Sequence, residues 1–231
     1  IHIGYFSSDF NNHPVSILLS KILELHDKSK FEVYAYSLNK FEDNYTEKIR
    51  KSVYCFRQIS DRSDLEITKI ARNDNIDIAI DLSGFSKNNR FGIFSYRVAP
   101  IQLNYLGYPG TLGSDCFDFI LADKVLIPEN NKLYYKEKVL YFSNSCIPHG
   151  DTQYLPVDKF TRKELGLPSD GFIFTCFNNI KKITRKEFKV WISLLQRVER
   201  SVLWLIKPND LALKNIVFEI TNHGIDKKRL I

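Results

Sequence analysis

Only four cysteines occur, Cys55, Cys116, Cys146 and Cys176, and no two stand at C-x-x-C spacing, so the sequence offers neither a zinc site nor a disulfide framework. They read as small buried apolar groups. The histidines, His2, His13, His26, His149 and His223, are as dispersed, and no pair has the close helical spacing of a metal site, so no metal cofactor is expected. No run approaches the ~20 uncharged apolar residues needed to span a bilayer. Residues 1–6 look like a strand rather than a charged-then-apolar signal peptide. A soluble, cytoplasmic protein with no membrane partner is expected. The absence of G-x-x-x-x-G-K-[ST] disfavours NTP hydrolysis, and the absence of G-x-G-x-x-G disfavours a dinucleotide. There is no internal repeat and no low-complexity tract.

What is present is an ordinary globular composition: 231 residues, 44% hydrophobic, enough to fill a real core. The net charge of +6 is unevenly placed. Residues 1–150 carry 18 basic and 18 acidic side chains, and 151–231 carry 15 and 9. A localised basic excess fits a polyanion, either a nucleotide diphosphate or a nucleic acid, or else a solvated lysine-rich surface.

Short β-rich runs alternate with segments of helical period, which argues for an α/β fold with largely parallel sheets. Strands are expected at 2–6, 31–37, 76–82, 101–106, 117–121, 139–142, 172–177 and 202–206. A first helix starts at Pro14, with Val15, Leu18, Leu19, Ile22 and Leu25 on one face. A second follows Thr184, which has capping-box spacing to Glu187 and a stripe of Phe188, Trp191, Ile192, Leu195 and Val198. Helices at 61–73 and 210–222 have Asp61 and Asn209 or Asp210 as caps. The pattern breaks around 148–170, marked by Pro148, Pro156 and Pro168. The expected division is an acceptor-side unit at 1–160 and the first part of a second unit at 161–231. Arg229, Leu230 and Ile231 read as the start of a third strand of that unit, whose sheet is then incomplete.

In open α/β sheets ligands bind beyond the carboxyl ends of the strands, so the loops there are the informative ones. After the first strand, Asp9 and His13 stand four apart at a helix start. They could share a proton or face a phosphate and a hydroxyl; alternatively Asn12 or His13 simply caps the helix. After the third, Gly84 precedes Lys87 and Arg90, cations for phosphate or an acidic acceptor, or plain surface charges. After the fourth, Gly107, Pro109, Gly110 and Gly113 force a loop poor in side chains, where a sugar ring could approach the backbone, or an ordinary tight turn forms. Between a buried strand and the capped helix lies the segment from Phe177 to Thr184, where free helix amides and Lys182 together make a diphosphate site.

These motifs, Ser7-Ser8-Asp9-Phe10 with His13-Pro14-Val15-Ser16, Ala99-Pro100-Ile101-Gln102 running into Leu106-Gly107-Tyr108-Pro109-Gly110-Thr111, Phe177-Asn178-Asn179 with Lys182-Ile183, and Ser201-Val202-Leu203-Trp204-Leu205, resemble the catalytic region of the O-GlcNAc transferase and SPINDLY family, glycosyltransferase family 41. The resemblance runs along essentially the whole chain. It implies a GT-B architecture of two Rossmann-like domains. It also implies inverting, metal-independent transfer from a nucleotide sugar, usually UDP-GlcNAc, to serine or threonine hydroxyls of proteins. Under it Asp9 and His13 are active-site residues, Leu106, Gly107 and Pro109 lie against the sugar, Asn179 and Lys182 contact the pyrophosphate, and Arg90 is on the acceptor side. Helical repeats upstream would present the protein substrates, and no cofactor beyond the donor is implied. Relatives that use GDP-fucose or transfer glucose keep the donor open. A nucleic-acid grip by Lys181, Lys182, Arg185, Lys186 and Lys189, and a non-catalytic scaffold, are the readings from other classes.

Overall fold

The computed structural model describes residues 1–148 and 159–231; part of the proline-marked 148–170 stretch, with His149 and Pro156, lies outside the described residues. The chain divides into two compact units, Ile1–Gln153 and Tyr154–Ile231.

In the first unit the order is β1 (His2–Ser7), α1 (Pro14–Leu25), β2 (Glu32–Ser37), α2 (Asn44–Ser52), β3 (Cys55–Gln58), α3 (Asp64–Asn73), β4 (Ile78–Asp81), α4 (Gly92–Ser95), β5 (Ile101–Asn104), β6 (Phe119–Ala122), a 3-10 turn (Glu129–Tyr134) and β7 (Lys138–Tyr141). The strands form one sheet in the order β3-β2-β1-β4-β5-β6-β7, every pairing parallel. Central strands of such a sheet are covered on both faces, which is why Ile3 through Ser7 and Val33 through Ser37 are buried without alternation. On one face Phe6, Tyr36 and Ala79 pack with Ile67 and Ala71 of α3 and Ile93 and Phe94 of α4. On the other, Tyr5, Ala35, Ile80 and Leu82 pack with Val15, Leu19 and Leu23 of α1 and Ile49 of α2.

A polar clasp pins the edge of the sheet. Asp74, at the end of α3, accepts from the Tyr36 hydroxyl at 2.7 Å and from Arg57 Nε at 2.6 Å. Replacing Asp74 by alanine strips two partly buried donors of their acceptor, and a loss of about 2 kcal/mol is expected from the shift in urea midpoint.

Several elements differ from expectation. Strand β3 and helix α2 were not foreseen. The helix expected from Asp61 begins instead after Ser63, whose hydroxyl and Glu66 cap each other reciprocally. Helix α1 buries Val15, Ser16, Leu19, Ser20 and Leu23 and exposes Leu25, so its apolar face is rotated from the one read. Strand β5 stops at Asn104, because Leu106 turns left-handed (φ 71°) and leaves the ladder.

The second unit holds β8 (Ile173–Cys176), a 3-10 turn (Ile180–Lys182), α5 (Arg185–Arg197), β9 (Val202–Leu205), α6 (Asp210–Asn222) and a 3-10 turn (Lys227–Arg229). Strands β8 and β9 are parallel, and Phe188, Ile192, Leu195, Leu203, Leu205 and Ile220 form the core. Leu230 bridges Leu203 in parallel, and the Ile231 amide donates to the Leu203 carbonyl at 2.9 Å, so the expected third strand is present only as a single bridge beside β9, with Arg229 still in the 3-10 turn. Among the described residues no helix is long and apolar enough to cross a membrane.

Candidate active site

The strand order reverses direction between β1 and β4, and the crevice beyond the carboxyl ends of such a pair is where open α/β sheets hold ligands. Asp9 and His13 lie in the loop that leaves β1 there. His13 caps α1: its Nδ1 accepts the Val15 amide at 3.3 Å. The capping reading is therefore correct for His13, and it does not end the matter. With Nδ1 occupied as an acceptor, the ring's proton sits on Nε2, which is left free to donate. The Asp9 carboxylate is 3.7 Å from Nδ1, too far for a shared proton. Burial pushes the Asp9 carboxyl upward, and the neighbouring His13 opposes this.

The loops after β4 and β5 interlock. Asp81 ends β4, and its two carboxyl oxygens accept the amides of Ser83 at 2.9 Å and Gly84 at 3.0 Å. That turn needs glycine twice over: Gly84 has φ 52°, and a Cβ there would lie 2.4 Å from Tyr108 Cβ. Tyr108 belongs to the next loop, whose Gly107 is pressed on the Leu82 carbonyl; a Cβ would stand 1.9 Å from that oxygen. Asn104, at the end of β5, donates from Nδ2 to the Tyr108 carbonyl at 2.8 Å. Pro109 is exposed, and its carbonyl accepts the Tyr135 hydroxyl at 2.9 Å. Glu137, itself buried, accepts from Thr111 Oγ1 at 2.7 Å and the Leu112 amide at 2.6 Å, closing the far end of the loop. Arg90 is held in an ion pair instead of standing free: Nε donates to Asp64 at 2.6 Å and a terminal nitrogen to the Arg62 carbonyl at 2.9 Å. With Asp64, Gly92 and Tyr96 it lines an open hollow of about 640 Å³.

In the second unit Asn179 caps the 3-10 turn, its Oδ1 accepting the Lys181 amide at 3.1 Å. Lys182 ends that turn, exposed, and among the described residues no carboxylate stands within ion-pair distance of it. Helix α5 begins two residues later behind Thr184, whose hydroxyl accepts the Lys186 amide at 3.3 Å. The expected reciprocal box is only half formed: Glu187 bonds the Thr184 hydroxyl rather than its amide. An ammonium therefore stands beside an exposed helix start, where the macrodipole also favours an anion.

Sequence reasoning passed over Asp81, Asn104 and Glu137. For Asp81 a signal existed, a carboxylate at the carboxyl end of an otherwise apolar central strand, but the alternation of Ile76-Asp77-Ile78-Ala79-Ile80-Asp81 reads as a half-buried strand. Burial pushes the Asp81 carboxyl from its ordinary 3.8 up to about 7, against the pull of the Ser83 and Gly84 amides. A carboxyl whose folded pKa is raised stabilises the fold fully below its unfolded value and progressively less as pH rises through the folded one. Stability is thus expected to drain between about pH 4 and pH 7, and Asp81→Asn, compared with wild type by denaturant melts across that range, removes this component.

Comparison with known proteins settles the kinship. Residues 1–156 and 153–231 match the family profile described as "Glycosyl transferase family 41". The chain belongs to this family. Among its family 41 relatives is the Arabidopsis thaliana protein named "Probable UDP-N-acetylglucosamine–peptide N-acetylglucosaminyltransferase SEC", 35% identical over 90% of this chain and 22% of its own length. A Solanum lycopersicum protein of the same description, SPINDLY, is 32% identical over 87% of this chain and 22% of its own. The chain thus spans about a fifth of these curated relatives. Among solved structures, a mutant O-GlcNAc transferase of Thermobaculum terrenum superposes with a TM-score of 0.86 at 27% identity, covering 100% of this chain and 44% of that one. A Rickettsia africae glycosyltransferase, at 12% identity and TM-score 0.59 over 100% and 67%, shares the fold. The α/β, Rossmann-like GT-B class expected for a family 41 member is the class found.

Proposed function

We propose that the intact protein is an inverting glycosyltransferase that moves GlcNAc from UDP-GlcNAc to serine or threonine hydroxyls of proteins, with no divalent ion needed. The relatives' names give the donor and the peptide acceptor; the chemistry follows from the residues. The observation that carries the reading is Lys182, with no counter-charge among the described residues, just ahead of the start of α5. Departure of a nucleoside diphosphate builds negative charge, and a fixed ammonium with helix amides meets it without reorganisation. Asn179 orders the turn that presents the lysine.

The attacking hydroxyl needs a proton acceptor, and the first unit offers one. Asp9, with its basicity raised by burial, suits that task directly or through one water, and the free Nε2–H of His13 suits a phosphate oxygen of the donor. A base and a stabilised leaving group suffice for single displacement, which inverts the anomeric carbon. Leu106, Gly107 and Pro109 give the sugar a backbone surface, and Arg90 stands on the acceptor side. Protein substrates reach this site in the cytoplasm, presented by helical repeats elsewhere in the protein.

Thermal shift of the intact protein with UDP-GlcNAc, UDP-glucose and GDP-fucose, each in EDTA, tests the reading. UDP-GlcNAc at a hundred times its Kd is expected to stabilise by about 2.7 kcal/mol. A shift with GDP-fucose alone reassigns the donor, and no shift with any of the three overturns the proposal.

A further inference from the structure

The first-unit loops are fixed by a pair of side chains to which no role has been given. Asp81 and Asn104 are partners in register on adjacent parallel strands, so their side chains leave the same face of the sheet. Both residues are buried, Asn104 completely. The Asn104 amide is oriented without ambiguity, because its NH₂ donates to the Tyr108 carbonyl. Its Oδ1 is therefore left facing the interior, and no N–H or O–H of the described residues reaches it. A buried carboxamide oxygen without a donor is costly. The neighbour across the ladder is a carboxyl group already anchored by two amides. No charged side chain stands against that carboxyl from β1, from β5 or from its own loop.

We propose that Asp81 is a positioning residue which, as the neutral acid, donates its proton to Asn104 Oδ1 and thereby ties the turn after β4 to the loop after β5. The chain of bonds then runs from the Ser83 and Gly84 amides through the Asp81 carboxyl and the Asn104 amide to the Tyr108 carbonyl. It holds the two loops at the switch point as one piece, with Gly84 under Tyr108 and Gly107 on Leu82 as the contact surface. Neutrality is what the site favours: burial opposes the charge, and only the proton gives the Asn104 oxygen a donor. Loss of that proton leaves two oxygen acceptors facing each other, and the loops part.

The kinetic arm of the test rests on the glycosyltransferase reading, and the spectroscopic arm does not. In the intact protein, Asp81→Ala is expected to lower kcat for transfer by about 10- to 100-fold, the scale of an ångström-level misplacement, with little change in donor KM. Asp81→Asn, which offers a permanent N–H to Asn104 but keeps only one oxygen for the Ser83 and Gly84 amides, is expected to recover part of that loss. It should also abolish the fall of kcat above about pH 7 that is expected of the wild type. Independently, infrared difference spectra at pH 6 should show the carbonyl band of a protonated carboxylic acid that disappears in Asp81→Asn. In Asn104→Ala the band should move to the higher frequency of an unbonded acid. A band unchanged by Asn104→Ala overturns the proposal, as does Asp81→Asn no better than Asp81→Ala in an active enzyme. An intact protein with no transfer activity at all sinks the enzyme reading and leaves the infrared result to decide this one.

Discussion

In the intact protein, Lys182→Ala is expected to lower kcat for sugar transfer by about 10²–10³-fold, the usual loss when a preorganised donor to a developing anion is removed. The melting temperature should stay within about 2 °C of wild type, because the residue is exposed and, among the described residues, packs into no core and holds no carboxylate. Donor KM should change less than kcat, since charge on the diphosphate grows toward the transition state. Lys182→Arg separates charge from shape: it keeps the cation and loses the compact point charge, and partial activity is the expected result. Steady-state kinetics with an acceptor peptide, beside a thermal melt, measure all of this. Near-normal turnover of a folded Lys182→Ala enzyme contradicts the assignment.

Gly107→Ala should have the largest structural effect of any single methyl group added to the first unit. Its Cβ would lie 1.9 Å from the Leu82 carbonyl oxygen, and that oxygen belongs to the backbone leaving a central strand, so it has no rotamer to escape into. Overpacking of this kind costs about 3 kcal/mol, which for a unit of this size lowers Tm by roughly 10 °C. Gly113→Ala is the control. It meets nothing within 4 Å, and its φ of 62° alone leads to a loss of about 1 kcal/mol. Comparable melting curves for the two variants would refute the close-approach argument for residue 107.

How far the fold could be read from the residues depended on how much each element buries. Strands β1, β2 and β4 are apolar and central, and their runs stand out. Strand β3, Cys-Phe-Arg-Gln, is an edge with one polar end, and helix α2 buries only Thr46 and Ile49, so neither has a stripe dense enough to see. The start of α3 was misplaced because Asp61 and Ser63 are both good caps, and only the reciprocal bond with Glu66 selects Ser63. Candidate loop residues stood out where residue types are unusual: Asp9 with His13, the glycines at 107 and 110, the lysine ahead of a capped helix. Asp81, Asn104 and Glu137 did not, since their importance lies in what they touch across the sheet, and pairing order is not written in the local sequence.

The interlocking of Tyr108 with Gly84 and of Gly107 with Leu82 bears on how this surface could be altered. Two segments so mutually dependent present a prebuilt platform, so a ligand settling on it surrenders little of its binding energy to ordering the protein. The same dependence restricts redesign. Libraries that randomise one segment alone should return mostly unfolded clones, whereas paired changes, conserving the fit between the two, are the route to an altered surface.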